Sequence, residues 1–154
     1  MSIREDEVAV HKFTQTIDCS LAEAFALVAD VRRTPTWNPG VIEVSEVSDA
    51  KVSEGTQFTA RVPKFGNQRM VVSELKTDET FTYSTVSPMF AGFHRWEFSA
   101  SEDKTRIDHI ADVSLKGIFR IFVPFLPLLR RTQRKNVHSE ADAFKTYLEN
   151  RGSG

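Results

Sequence analysis

The chain has a single cysteine, Cys19, among its 154 residues. An intrachain disulfide is therefore impossible, and a cysteine-built metal site is excluded with it. A reducing cytoplasm is the compartment this predicts. No stretch reaches the ~18 consecutive apolar residues of a membrane-spanning helix, and Met1 to Glu7 is charged where a signal peptide would carry an apolar core. An excess of one charge is also missing: Lys+Arg number 20 and Asp+Glu 21, so net charge does not favour a polyanion and nucleic acid is not an expected partner. The sequence holds no Gly-rich phosphate loop, no His-Glu-x-x-His and no Gly-x-Ser-x-Gly. Its four histidines, His11, His94, His109 and His138, fall on separate segments without ligand spacing, so neither a metal nor a cofactor is expected. Polar aromatic rings are few as well: 2 Trp and 2 Tyr stand against 12 Phe, which supply bulk without a polar handle.

What remains is a chain long enough for one domain with a real core, taken as residues 1–150 with a flexible tail at 151–154. Val8 to Asp18 is rich in β-branched and aromatic residues, with Phe13, Gln15 and Ile17 on one side, and predicts a strand. Ser20-Leu21-Ala22-Glu23 is a capping-box sequence in which the Ser20 hydroxyl takes the Glu23 amide. Leu21, Ala24, Phe25 and Val28 then follow at helical spacing, and Pro35, Pro39 and Gly40 close a short helical insert.

From Val41 to Leu115 the period is two. Six strands are expected, over Val41–Ser48, Thr56–Val62, Gln68–Lys76, Thr80–Val86, Gly92–Ala100 and Thr105–Leu115. The breaks between them suit hairpins, so the sheet should be antiparallel. Alternation places Phe58, Ala60 and Val62 on one inner face, with Met70 and Val72, with Phe81, Tyr83 and Thr85, and with His94, Trp96 and Phe98. Ile107, His109, Ala111, Val113 and Leu115 complete it, while Asp108 and Asp112, opposite in phase, should face water.

The last third divides in two. Ile118 to Leu129 is dense in large apolar residues and interrupted by Pro124 and Pro127, which should break or kink a helix. Val137, Ala141, Phe144 and Leu148 then form the single stripe of a helix lying on another surface. Extending that stripe backward meets Gln133 and Glu140, two polar residues at apolar positions. They either line a wet cavity or reach outward from the stripe edge. A burial without partners would cost roughly 2–7 kcal/mol for an amide.

One strand, a short helical insert, six antiparallel strands and a long final helix give an α+β class, a curved seven-stranded sheet wrapped around the C-terminal helix, because crossover helices are missing. At this point the sequence resembles the START-like, or SRPBCC, superfamily, with its polyketide cyclase/dehydrase-type and Bet v 1-like members. The residues that carry the resemblance are Ile17-Asp18 running into Ser20 through Asp30, then Pro35-Thr36-Trp37-Asn38-Pro39 and Glu54-Gly55-Thr56. His94-Arg95-Trp96-Glu97-Phe98, Thr105-Arg106-Ile107 and Leu115-Lys116-Gly117 continue it. The resemblance implies a helix-grip fold with an apolar cavity between sheet and helix that holds lipids, isoprenoids, polyketides or similar molecules.

The expected cavity wall comprises Phe58, Ala60, Met70, Val72, Phe81, Tyr83, His94, Trp96, Phe98, His109 and Ala111 from the sheet and Leu129, Gln133, Val137 and Glu140 from the helix. Trp37 is either a plug where the insert rejoins the sheet or a roof to the cavity mouth. Two readings of function follow: a binding or transfer protein for a hydrophobic small molecule, or a cyclase, aromatase or dehydratase-like enzyme using His94, His109, Tyr83 or Glu140 as acid/base groups. A third is a partner-binding module with a filled core. Arg130, Arg131, Arg134 and Lys135 form a basic cluster that is either a solvated face or, with Phe119, Phe122 and Phe125, a transient membrane contact. Monomer and homodimer are both open.

Overall fold

Alternation of apolar and polar residues carries through to the strands observed in a computed structural model, which describes residues 11–63, 66–87, 90–115, 124 and 126–152. Strand β1 (His11–Ile17) leads to helix α1 (Leu21–Ala29), a 3₁₀ turn (Val31–Arg33) and the one-turn helix α2 (Thr34–Trp37). Strands β2 (Glu43–Ser45), β3 (Gln57–Val62), β4 (Gly66–Lys76), β5 (Thr80–Thr85), β6 (Phe90–Ser101) and β7 (Lys104–Leu115) follow, then helix α3 (Leu126–Gly152). The strands form one antiparallel sheet in the order β1-β7-β6-β5-β4-β3-β2. This is the α+β helix-grip architecture expected, with each strand where its alternation placed it.

Two local features depart from a regular ladder. β2 is shorter than the expected 41–48 span because Glu46 sits at φ 52, which ends an extended run. The β4–β5 register shifts between Val72 and Glu74, a bulge that bends and twists the sheet at that point. Beside it Gly55, at φ 90, donates its N–H to the Val72 carbonyl at 2.8 Å, a backbone conformation that L side chains rarely adopt.

The helices meet the sheet through apolar faces. Ser20 caps α1 by accepting the Glu23 amide at 3.2 Å, and Ala24, Phe25, Leu27 and Val28 turn inward. Phe25 meets Phe98 edge-on at 5.4 Å, and α1 lies against strands β5, β6 and β7. α3 is 27 residues, about 40 Å at 1.5 Å per residue. It begins just before Pro127, where a missing N–H breaks no helical bond. Its inward stripe is Glu140, Ala141, Phe144 and Leu148. β1 grips that stripe: Gln15 Nε2 donates to the Ala141 carbonyl at 3.1 Å, and the Phe13 ring meets the His138 ring at 4.6 Å. No helix among the described residues is long and apolar enough to cross a membrane.

Phe119, Phe122 and Phe125, with most of the apolar segment before α3, lie outside the described residues. The side chains of Leu129, Gln133 and Val137 lie outside them too, although their backbone belongs to α3. On the outer face Asp108 accepts from Thr14 Oγ1 at 2.6 Å, as its phase predicts. Asp112 is buried rather than solvent-facing, since its cross-strand partner Phe93 shares that face.

Candidate ligand cavity

Where α1, the 3₁₀ turn and α2 fold back over the sheet, packing leaves a cavity of about 330 Å³. Its walls are apolar: Val28 and Val31 from the insert, Val41 and Val44 around β2, and Phe58 and Ala60 from β3. Trp37 reaches it because Asn38 folds the chain back, its Oδ1 accepting the Gly40 amide at 2.8 Å, and both residues are buried. The Trp37 ring is then edge-on to Trp96 at 6.0 Å and to Phe144 at 4.9 Å, so it plugs the junction and lines the cavity at once.

Seven residues expected on the wall are there: Phe58, Ala60, Met70, Tyr83, His94, Trp96 and Glu140. Val72, Phe81, Phe98 and Ala111 are buried but do not line it. The reason is that alternation assigns a face and not a depth. α1 lies over one end of the sheet and converts that part of the inner face into packed core, with Phe98 against Phe25. His109 is one layer back, stacked on Trp96 at 4.0 Å and 17°. The wall residues that strand alternation missed come from the insert, from around β2, from Pro63 after β3 and from Ser139 beside Glu140. A signal for them existed in the run Val28, Val31, Val41 and Val44, whose apolar residues outnumber what one short helix stripe needs.

One end of the cavity is polar. Tyr83, His94 and Glu140 line it, and His109 supports it from behind. His94 Nδ1 lies 3.1 Å from His109 Nε2. Both imidazole rings are held by aromatic neighbours, His94 stacked on Tyr83 at 5.0 Å and His109 on Trp96. Burial lowers the His94 pKa to about 4, and burial together with the neighbouring His94 holds His109 well below its ordinary value, so both rings are neutral at pH 7. Glu140 is 8% exposed, and burial pushes its carboxyl up to about 8. Tyr83 is held well above the usual phenol range by burial and by the adjacent Glu140. This places Glu140 on the inward side of α3, one of the two orientations its position in the stripe allowed.

Donor atoms of His94, His109 and Glu140 lie within 4.8 Å of one another. All three were expected on the cavity wall, but they come from three elements and no ligand spacing marks them as a metal set. Two ligands of one ion with bonds of about 2.0–2.1 Å are at most about 4 Å apart, so Glu140 would have to swing inward for all three to share an ion.

A curved antiparallel sheet gripping one long helix, with an apolar cavity between sheet, insert and helix, defines a START-like helix-grip protein. The chain belongs to the family described as polyketide cyclase/dehydrase and lipid transport, which matches residues 10–149. Among solved structures it is similar to a START superfamily protein from Mycobacterium smegmatis, at 16% identity and a TM-score of 0.71, covering 92% of this chain and 97% of that one. The Zhui aromatase/cyclase from Streptomyces sp. R1128 is similar at 13% identity and a TM-score of 0.76, over 93% and 94%. Ara h 8.0201 is similar at 15% identity and a TM-score of 0.68, over 91% and 98%. These likenesses show the fold. No curated protein matches the chain.

Proposed function

We propose that the chain takes up a hydrophobic small molecule, a lipid, isoprenoid or polyketide-like compound, in this cavity, as a binding or transfer protein. The observation that carries the reading is the cavity itself. Its volume of about 330 Å³ falls in the range of small-molecule sites, roughly 300–1,000 Å³, and its lining is mostly apolar, with Tyr83, His94 and Glu140 among its polar residues. Phe58, Ala60, Met70 and Trp96 supply the contact area, and Tyr83, His94 and Glu140 orient the guest. The family's description, which includes lipid transport, agrees with this use. Native mass spectrometry of freshly purified protein tests it. A co-purifying apolar molecule, or saturable uptake of one, supports the reading, while a folded protein that takes up no apolar compound sinks it.

A second reading has its own observation. The four acid/base candidates read from the sequence, His94, His109, Tyr83 and Glu140, come together at one end of the cavity, and such convergence suits a cyclase or aromatase-like enzyme. The Zhui protein is named for that activity. Once a guest is known, Glu140→Gln and His94→Phe separate the two readings. Lost turnover with retained affinity indicates catalysis, and weakened binding alone indicates a binder.

A further inference from the structure

His94 and His109 fix each other's protons. His109 Nδ1 is buried without a hydrogen-bond partner. A proton there would be an orphaned buried donor, which costs more than an under-used lone pair. The favoured tautomer of His109 therefore carries its proton on Nε2 and donates it to His94 Nδ1 at 3.1 Å. His94, accepting on Nδ1, must carry its own proton on Nε2, the nitrogen left for the cavity that His94 lines.

The neighbouring groups are donors too. Glu140 is buried, no hydrogen bond or ion pair holds it among the described residues, and a carboxyl in such a place keeps its proton. Tyr83 keeps its hydroxyl proton beside it. Among the described residues no Lys or Arg lines the cavity. The polar end is thus a set of neutral O–H and N–H groups with no cation among them.

We propose that Tyr83, Glu140 and His94 form a neutral hydrogen-bond-donor cradle for an oxygen that bears negative charge, and that the preferred guest is an apolar molecule carrying an acidic enol or an acidic phenol. This rests on the cavity being a guest site and adds the chemistry of the guest's buried end. A localised carboxylate would meet the same penalty that keeps Glu140 protonated. An enolate or phenolate spreads its charge into an apolar body and loses less on leaving water. The oxyanion must also be a weaker base than the Glu140 carboxylate, or it would take that proton. A hydroxyl that ionises near neutrality meets this condition.

The probe is 4-nitrophenol, whose ionised form is coloured, with nitrobenzene as the isostere lacking the hydroxyl. With protein in excess at pH 6, the ratio of phenolate to phenol in the bound probe should exceed that in buffer by about tenfold or more, the effect of one good hydrogen bond to a charged oxygen. Tyr83→Phe and Glu140→Leu should each remove several-fold of that excess, and Glu140→Gln, still a neutral donor, should keep most of it. A bound probe less ionised than the free one overturns the cradle, as does nitrobenzene binding as tightly as nitrophenol. Both outcomes leave the guest site standing. If neither probe binds to folded protein, the cavity reading fails and the cradle with it. An ionisation shift abolished by EDTA would assign the stabilisation to a bound ion and overturn the proposal as well.

Discussion

Raising the pH from 6.5 to 8 should destabilise this protein, and one residue should account for it. The Glu140 carboxyl ionises near 8 in the folded chain against an ordinary value of 4.5. Between those values the native state holds a proton that the unfolded state has released, so stability falls as pH rises, at about 1.4 kcal/mol per unit. His94 and His109 act in the opposite sense. Their folded pKa values are lowered, so around and below the ordinary 6.5 the unfolded chain takes up protons that the native chain refuses, and their contribution to stability grows through that pH and levels off about one unit above it. Cys19 and Tyr83, both raised from ordinary values of 9.0 and 10.0, ionise above the window. From pH 6.5 to 8 Glu140 removes about 1.7 kcal/mol, the two histidines, half protonated in the unfolded chain at 6.5, return about 0.8 kcal/mol, and the net loss is about 1 kcal/mol. At an m-value of roughly 2 kcal/mol/M the urea midpoint should drop by about 0.5 M. Glu140→Gln, neutral at every pH, should show no such fall. A wild-type midpoint equal at the two pH values, or a Gln variant that falls as far as wild type, would refute the account of Glu140 as a buried, unpaired carboxyl.

Two further outcomes follow from the packing. Phe144→Ala should cost about 3–5 kcal/mol, read as a lowered melting temperature by calorimetry, because a fully buried ring wedged between Trp37 and Trp96 leaves a void that rigid indoles cannot fill. Ser20→Ala should cost about 1 kcal/mol in urea unfolding through the lost cap on the Glu23 amide, with no change in the uptake of an apolar probe.

Strand positions were legible because one face of each strand is buried and the period is two, which leaves little freedom of phase. The cap at Ser20 and the turn around Trp37 and Asn38 were equally plain, since their local chemistry is self-contained. The pairing of His94 with His109 was less so. Both were assigned to the inner face, but adjacency depends on register, and here Trp96 is directly opposite His109 with His94 on the diagonal. The tight Ser101–Lys104 hairpin fixes that register, so counting back from its two-residue turn would have brought the imidazoles together. The surplus of valines at 28, 31, 41 and 44 marks Val41 and Val44 as apolar without placing them on the cavity wall. Their place depends on how a three-residue strand and a one-turn helix close over the sheet, a matter of tertiary packing that local pattern does not encode. Glu140 was flagged by its place in an apolar stripe, while its orientation depended on whether α3 covered solid core or open space.

The position of Phe144 shapes how such a chain can diversify. Its ring touches both indoles that border the cavity, yet it also belongs to the buried core, so a substitution there changes guest volume and stability together. Val41 and Val44 border the same space from the margin of the fold, half-buried, Val44 within the three-residue strand β2 and Val41 just before it. Change on that side alters the shape offered to a guest while leaving the aromatic cluster intact. New ligand preferences should accumulate first at the β2 margin, and selection for altered affinity should recover substitutions there before it recovers any at the helix.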